Sequence, residues 1–192
     1  MIKIINLRKS FGDKKVLDGV NLDIERGKIT VIIGRSGEGK SVLIKHIIGL
    51  LKPDEGSVFL EDQDLTSLRD RDFNEARKRF GMLFQGAALF DSMTVAGNVG
   101  FPLKEHTDLN DEDIGKIVTE KLKRVGLVDV EEMMPSDLSG GMKKRVGLAR
   151  AIVMDPEIVL FDEPTTGLDP IMSDSIADLV LDTQKALKTT YI

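Results

Sequence analysis

Residues Gly34-Arg35-Ser36-Gly37-Glu38-Gly39-Lys40-Ser41 fit the pattern G-x-x-x-x-G-K-[S/T] at every fixed position. A loop of this kind binds phosphate. Its glycines let backbone N–H groups turn inward onto phosphate oxygens, and the helix that follows adds the positive end of its dipole. Lys40 is placed to reach the β- and γ-phosphates of a nucleotide, and Ser41 to give a hydroxyl to Mg²⁺. A Gly-rich turn arising by chance is the bland alternative. The apolar run before Gly34 and the apolar-periodic residues from Val42 onward weigh against it, because the motif carries meaning only between a strand and a helix.

Two further groups could join that chemistry. Asp162 and Glu163 follow Ile158-Val159-Leu160-Phe161. An acid at the end of an apolar strand can hold Mg²⁺ beside phosphates, and the next acid can orient or deprotonate an attacking water. An acidic turn before Pro164 would look similar if it stood alone. Ser139-Gly140-Gly141 opens a helix and forms a second anion cradle, with a capping hydroxyl, close backbone approach and a helix dipole. One subunit needs one cradle for one triphosphate. The natural reading is that the second serves the nucleotide of another copy, although a plain N-cap with a flexible Gly pair has the same sequence.

The elements that must position these groups can be read from pattern. Alternation from Ile2 to Ile24, broken at Gly12-Asp13, predicts two strands. Residues 28–33 read as a buried strand between Gly27 and Gly34. Val42, Leu43, Ile44, Ile47, Ile48 and Leu51 predict a helix that is apolar on most faces. A turn at Pro53–Gly56 and a short strand at Ser57–Leu60 follow. Residues 80–84 form a strand ending at Gln85. Asn110 reads as an N-cap, with Ile114, Ile117, Val118, Leu122 and Val125 at helical spacing behind it. Helices are expected over Ser139–Met154 and Pro170–Lys185, and a strand over Glu157–Phe161. His106 is placed in a loop after Pro102. Strand–loop–helix units indicate an α/β core. The core is assigned to residues 1–85 and 156–192, with residues 86–155 an inserted, mostly helical subdomain of one 192-residue domain.

Composition narrows the function. A net charge of −5 and only a short basic run at Lys143-Lys144-Arg145 argue against a general nucleic-acid binder. With no cysteine, neither a disulfide framework nor a thiolate metal site can form. Neither histidine reads as a metal ligand: His46 reads as a structural or edge residue, and His106 sits where a partner contact could form. The N-terminus carries no signal-peptide pattern and no apolar run approaches the ~20 residues that span a bilayer. A soluble chain is expected, with membrane contact only through partners.

With these residues in view, the chain resembles the ATP-binding-cassette ATPases over its whole length. Residues 34–41 match Walker A, 158–162 match Walker B with Glu163 as the base, and Leu138–Met142 match the family signature. The resemblance implies a P-loop NTPase fold, with a RecA-like core, an antiparallel β subdomain and an inserted helical subdomain. It implies ATP and Mg²⁺ as cofactors. It places Arg35, Ser36, Gly37, Glu38, Gly39 and Val42 around the nucleotide with Gly34, Lys40 and Ser41, and Asp162 on the metal. Gln85 matches the glutamine that contacts Mg²⁺ and the attacking water and leads toward the transporter partner. Ser139, Gly140 and Gly141 would meet the nucleotide of the opposite subunit in a homodimer. Asp169, in Gly167-Leu168-Asp169, matches the D-loop that touches that subunit. Phe11 stands where an aromatic stacks on adenine, and a core role suits it equally.

Three stretches are more specific. The signature ends in Met142 rather than Gln and runs on into Lys143-Lys144-Arg145. Residues 84–95 and Phe101–Thr107 join it in resembling the ATPase subunits of MCE-type lipid transporters, the Mla phospholipid system and its relatives. That implies a peripheral subunit on the cytoplasmic face of a bacterial inner membrane, serving transmembrane permease subunits and an MCE-domain substrate-binding protein, in maintaining outer-membrane lipid asymmetry. The rival readings are an ATPase of an amino-acid or metal-ion transporter, a non-transport ATPase of chromosomes, repair or translation, and a silent regulatory module. The interval from Lys40 to Asp162 has no room for a long coiled coil and there is one cassette. Lys40, Asp162 and Glu163 oppose the silent module.

The family also carries a histidine on the γ-phosphate, at the end of the strand after the D-loop helix. The sequence ends at Thr189-Thr190-Tyr191-Ile192, before such a residue. The 192-residue chain is therefore expected to bind ATP but to hydrolyse it slowly, having lost one positioning donor. Turnover measured beside a version extended through the histidine checks this, and equal rates would refute it.

Overall fold

The computed structural model describes residues 1–192, apart from the side chain of Asp70. Its elements run β1 (Ile2–Phe11), β2 (Lys14–Ile24), α1 (Lys40–Ile47), β3 (Glu55–Leu60), β4 (Gln63–Asp64), α2 (Asp70–Arg77), β5 (Phe80–Leu83), α3 (Val95–His106), α4 (Asp111–Arg124), α5 (Gly140–Ile152), β6 (Ile158–Phe161), α6 (Pro170–Leu187) and β7 (Thr190–Tyr191). Short 3₁₀ turns occur at Leu65–Ser67 and Pro135–Asp137. The chain forms two compact units, Met1–Phe80 with Thr190–Ile192, and Gly81–Thr189.

The first unit is built on an antiparallel sheet in the order β2-β1-β3-β4. The β1–β2 hairpin pairs Ile2 with Ile24 and Phe11 with Lys14, as the alternating pattern and the break at Gly12-Asp13 predict. Ile2, Ile4, Leu7, Ile24, Val58 and Leu60 are all buried and give the sheet its apolar face. Helix α1 buries Leu43, Ile44, His46 and Ile47. It stops short of the expected Leu51. Gly49 takes a left-handed φ of 69°, and Leu50 N and Leu51 N both turn back to the Lys45 carbonyl at 2.8 and 3.2 Å, closing the helix end.

The buried strand expected over residues 28–33 does not form. Ile29 alone bridges Tyr191, in parallel. Tyr191 N donates to the Lys28 carbonyl at 2.9 Å and Thr30 N to the Tyr191 carbonyl at 2.8 Å. Val31 and Ile33 are 74% and 90% exposed. A strand needs a ladder, and the β7 segment paired at Ile29 spans two residues. Apolar composition was a poor guide to burial here.

In the second unit β5 pairs with β6. Four helices start on capping side chains. Thr94 accepts from Gly97 N, Asn110 from Asp113 N, Ser139 from Met142 N and Asp169 from Met172 N. Val99, Leu103, Ile114, Val118, Leu122 and Val146 are buried on α3, α4 and α5. Asn98, fully buried, donates to the carbonyls of Phe90, Met93 and Thr94 and accepts from Phe90 N, which orders the approach to α3. His106 is the last residue of α3 and not part of a loop. Pro102 removes one rung, but the helix runs on and Thr107 N still reaches the Leu103 carbonyl at 3.0 Å. Among the described residues no helix is long and apolar enough to cross a membrane.

His46 shows how the first unit answers to pH. It is 2% exposed, and its Nδ1–H donates to the Val42 carbonyl at 2.7 Å. Burial holds the imidazole below its ordinary value, with the Lys9 charge acting the same way and Asp54 opposing it. The unfolded chain takes up this proton first. The stability that neutral His46 contributes is therefore present above about pH 6.5 and lost as the pH falls toward the folded value. Urea unfolding at pH 7.5 and pH 5.5 should show lower stability at the acid end, and His46→Leu should shrink that difference.

Candidate nucleotide site

The candidate residues fall into two groups, one in each unit. In the first, the loop Gly34–Gly39 is irregular backbone ending in α1. Gly37 and Gly39 take φ values of 78° and 96°, which a residue with a Cβ resists. A Cβ at Gly39 would also stand 2.9 Å from Val16 Cγ1 and 3.0 Å from the Val16 carbonyl. The loop is tied to itself. Arg35 N donates to Glu38 Oε2 at 2.8 Å, and Lys40 Nζ donates to the carbonyls of Gly34 and Arg35, both at 2.9 Å. The ammonium is thus held over the loop by two weak acceptors that a phosphate can outcompete. Ser36 is exposed, while Ser41 and Val42 lie half-buried in the first turn of α1.

Phe11 closes β1 and is 49% exposed, with the Lys9 ammonium 5.8 Å from its ring centroid. That exposure removes the core reading and leaves a free aromatic face.

In the second unit Gln85 meets the Glu163–Thr166 turn from a distant part of the sequence. Gln85 Nε2 donates to Glu163 Oε2 at 3.2 Å, and the Thr166 hydroxyl donates to the same oxygen at 3.0 Å. Glu163 takes a left-handed φ of 49°, and its carbonyl accepts from Thr166 N at 3.2 Å. Backbone of this kind is sustained only when its surroundings over-determine it. Asp162 is 8% exposed, and its N–H donates to the Leu83 carbonyl at 3.0 Å. Two donors thus meet on one oxygen of Glu163 and orient its carboxylate.

Ser139 caps α5, its Oγ accepting from Met142 N at 3.2 Å. Ser139 and Gly140 are exposed and Gly141 is buried. A Cβ at Gly141 would lie 2.0 Å from Met172 Cε, so a larger residue there requires the Met172 side chain to move. Asp169 is the N-cap of α6, its Oδ1 accepting from Met172 N at 3.0 Å. Ile171, beside it, is 81% exposed.

Sequence reasoning missed Thr166 and Lys144. The Thr165-Thr166 pair following Glu163-Pro164 was a turn signal that could have been read. Lys144 was counted with its basic neighbours as part of a charged run. It is 5% exposed, and its Nζ donates to the Gln85 carbonyl. Burial lowers its pKa, and the carboxylates of Asp162 and Glu163 oppose that shift.

With this geometry in hand, comparison with known proteins is informative. The ABC transporter family matches residues 17–166. The intermembrane phospholipid transport system ATP-binding protein MlaF of Haemophilus influenzae is 46% identical over 192 residues, covering 100% of this chain and 73% of that protein. The probable ribonucleotide transport ATP-binding protein mkl of Mycobacterium leprae is 44% identical over 191 residues, and this chain spans 55% of its length. A solved dimeric ATP-binding cassette in a post-hydrolysis state, bound to ADP and phosphate, superposes with a TM-score of 0.89 at 32% identity, covering 100% of this chain and 86% of that one. The chain belongs to the ABC transporter family as one of its ATP-binding cassettes.

Proposed function

We propose that this cassette hydrolyses ATP as a homodimer to drive phospholipid transport through membrane-embedded permease subunits. The observation that carries the hydrolytic half is the convergence of Gln85 and Thr166 on one oxygen of Glu163. In this reading residues 34–41 of one copy hold the triphosphate, with Lys40 moving from its loop carbonyls to the phosphates. Ser139, Gly140 and Gly141 of the other copy present their N–H groups and cap to the same γ-phosphate, and Phe11 stacks on adenine. The exposed Ile171 beside Asp169 supports a surface that a second copy covers.

Glu163 takes the proton of a water whose oxygen attacks the γ-phosphorus, as the bond to the β-phosphate oxygen breaks. The hydroxyl of Ser41, the carboxylate of Asp162 and the amide oxygen of Gln85 are hard oxygen donors that suit Mg²⁺. Gln85 spends its Nε2–H on Glu163, which leaves Oε1 for a metal. Bound Mg²⁺ would neutralise charge on the β- and γ-phosphate oxygens. ATP favours the closed dimer because contacts to the γ-phosphate exist only there, and their loss on hydrolysis reopens it.

The substrate never meets this chain, so the lipid assignment rests on likeness. The phospholipid transport system to which the Haemophilus influenzae relative belongs and the signature ending in Met142 both support it. The cassette then sits peripherally on the cytoplasmic face of a bacterial inner membrane, joined through permeases to an MCE-domain protein, and has no role for nucleic acid.

Two measurements test the proposal. Glu163→Gln should still bind ATP and should form a stable dimer in ATP and Mg²⁺, seen by size-exclusion chromatography with light scattering. A variant that stays monomeric, or that turns over like wild type, contradicts the hydrolytic reading. A tagged cassette recovered from source membranes should bring down a permease and an MCE-domain protein. A different permease class would sink the lipid assignment and keep the ATPase.

A further inference from the structure

Three residues of α5, spaced three apart, face a single turn of the chain. Lys144 donates from Nζ to the Gln85 carbonyl. Gly147 lies against Leu83 and Ala87, where a Cβ would come within 2.8 Å of Leu83 Cδ1 and 3.1 Å of Ala87 Cβ. Arg150 donates from its two terminal nitrogens to the carbonyls of Ala87, at 2.7 Å, and Ala88, at 2.9 Å. The turn they hold is one that alanine does not choose. Ala87 and Ala88 take φ values of 60° and 48°, a region that residues with a side chain enter when their surroundings impose it. Ala87 is 1% exposed, so the turn is fixed by packing as well as by hydrogen bonds.

Directly before this turn stands Gln85, which is exposed and whose side-chain amide donates to Glu163. Its main chain is held from α5, and its amide is held on the carboxylate. We infer that Lys144 is a positioning residue for hydrolysis, fixing the Gln85 backbone so that the Gln85 amide stays on Glu163. Arg150 and Gly147 hold the far side of the same turn. The helix that does this begins at the Ser139–Gly141 cradle. A displacement of its first turn would reach the Gln85 backbone through Lys144 and the rest of the turn through Gly147 and Arg150. The inference rests on the reading of Gln85 and Glu163 as the hydrolytic pair.

Lys144 also faces the carboxylates of Asp162 and Glu163, so its charge could act on Glu163 without Gln85. Epistasis separates the two routes. Steady-state ATP turnover is measured for wild type, Lys144→Met, Lys144→Arg, Gln85→Ala and the double variant Lys144→Met/Gln85→Ala, with thermal unfolding of each. Methionine fills the buried space without the donor, and arginine restores a donor. Lys144→Met should lower kcat roughly tenfold to a hundredfold, the scale of a small misplacement of a catalytic group. The KM for ATP and the unfolding midpoint should hold, and Lys144→Arg should recover much of the loss. The double variant should be no slower than Gln85→Ala alone.

Wild-type turnover in Lys144→Met, multiplied losses in the double variant, or a fall in KM, kcat and unfolding midpoint together would each overturn the inference. Should Gln85→Ala itself turn over normally, the hydrolytic reading fails first and the inference falls with it. Should Gln85→Ala be impaired and Lys144→Met not, the inference alone fails.

Discussion

The ammonium of Lys144 lies in a packed helix face, 5% exposed, where an unpaired charge would cost several kcal/mol. An acceptor has to be supplied, and it is the main-chain carbonyl of Gln85. Much of the second unit is arranged to allow this. Gly147 lets the strand end and turn approach the helix, and Arg150 satisfies two more carbonyls of the same turn. The helix is otherwise filled with small or aliphatic residues, Val146, Leu148, Ala149, Ala151 and Ile152, all buried. A helix so enclosed cannot shift without moving what it touches. It begins at the Ser139 cap and grips the turn after Gln85, so its two ends are mechanically joined.

The phosphate loop follows a different logic. Its backbone N–H groups must stay available, so the loop cannot consume them in regular structure. Glycine supplies the left-handed φ values, while the Glu38 carboxylate and the Lys40 ammonium brace the loop from its side chains. These braces are short-range and solvent-facing. They keep the loop near its working shape at little cost and yield to a ligand with more charge.

The parts of the molecule most legible in the sequence were those where local chemistry decides structure. Asn110 and Ser139 were readable as caps because a polar side chain before a periodic run has one good use. The β1–β2 hairpin was readable because Gly12-Asp13 interrupts strict alternation. Residues 28–33 were misread because an apolar run reports composition and not its partner, and a strand exists only through pairing. His106 was misread because Pro102 was given more power to end a helix than one lost hydrogen bond confers. In the site, Gln85 and Glu163 were legible as types at strand ends, but their contact was not, since they stand 78 positions apart in the sequence. Lys144 was invisible for a related reason. A lysine in a basic run is ordinarily solvated, and only the fold shows that this one is turned inward onto a carbonyl.

In the proposed dimer each ATP is held by the phosphate loop of one copy and the Ser139–Gly141 cradle of another. Mixing two inactive variants tests it directly. Lys40→Ala disables the loop, and Gly141→Asp blocks the cradle with bulk and negative charge. A mixed dimer contains one fully disabled site and one site with both halves intact. The account predicts ATP turnover in the mixture that neither variant has alone. A mixture as inactive as its components, under conditions where wild type turns over and heterodimers form, would contradict it.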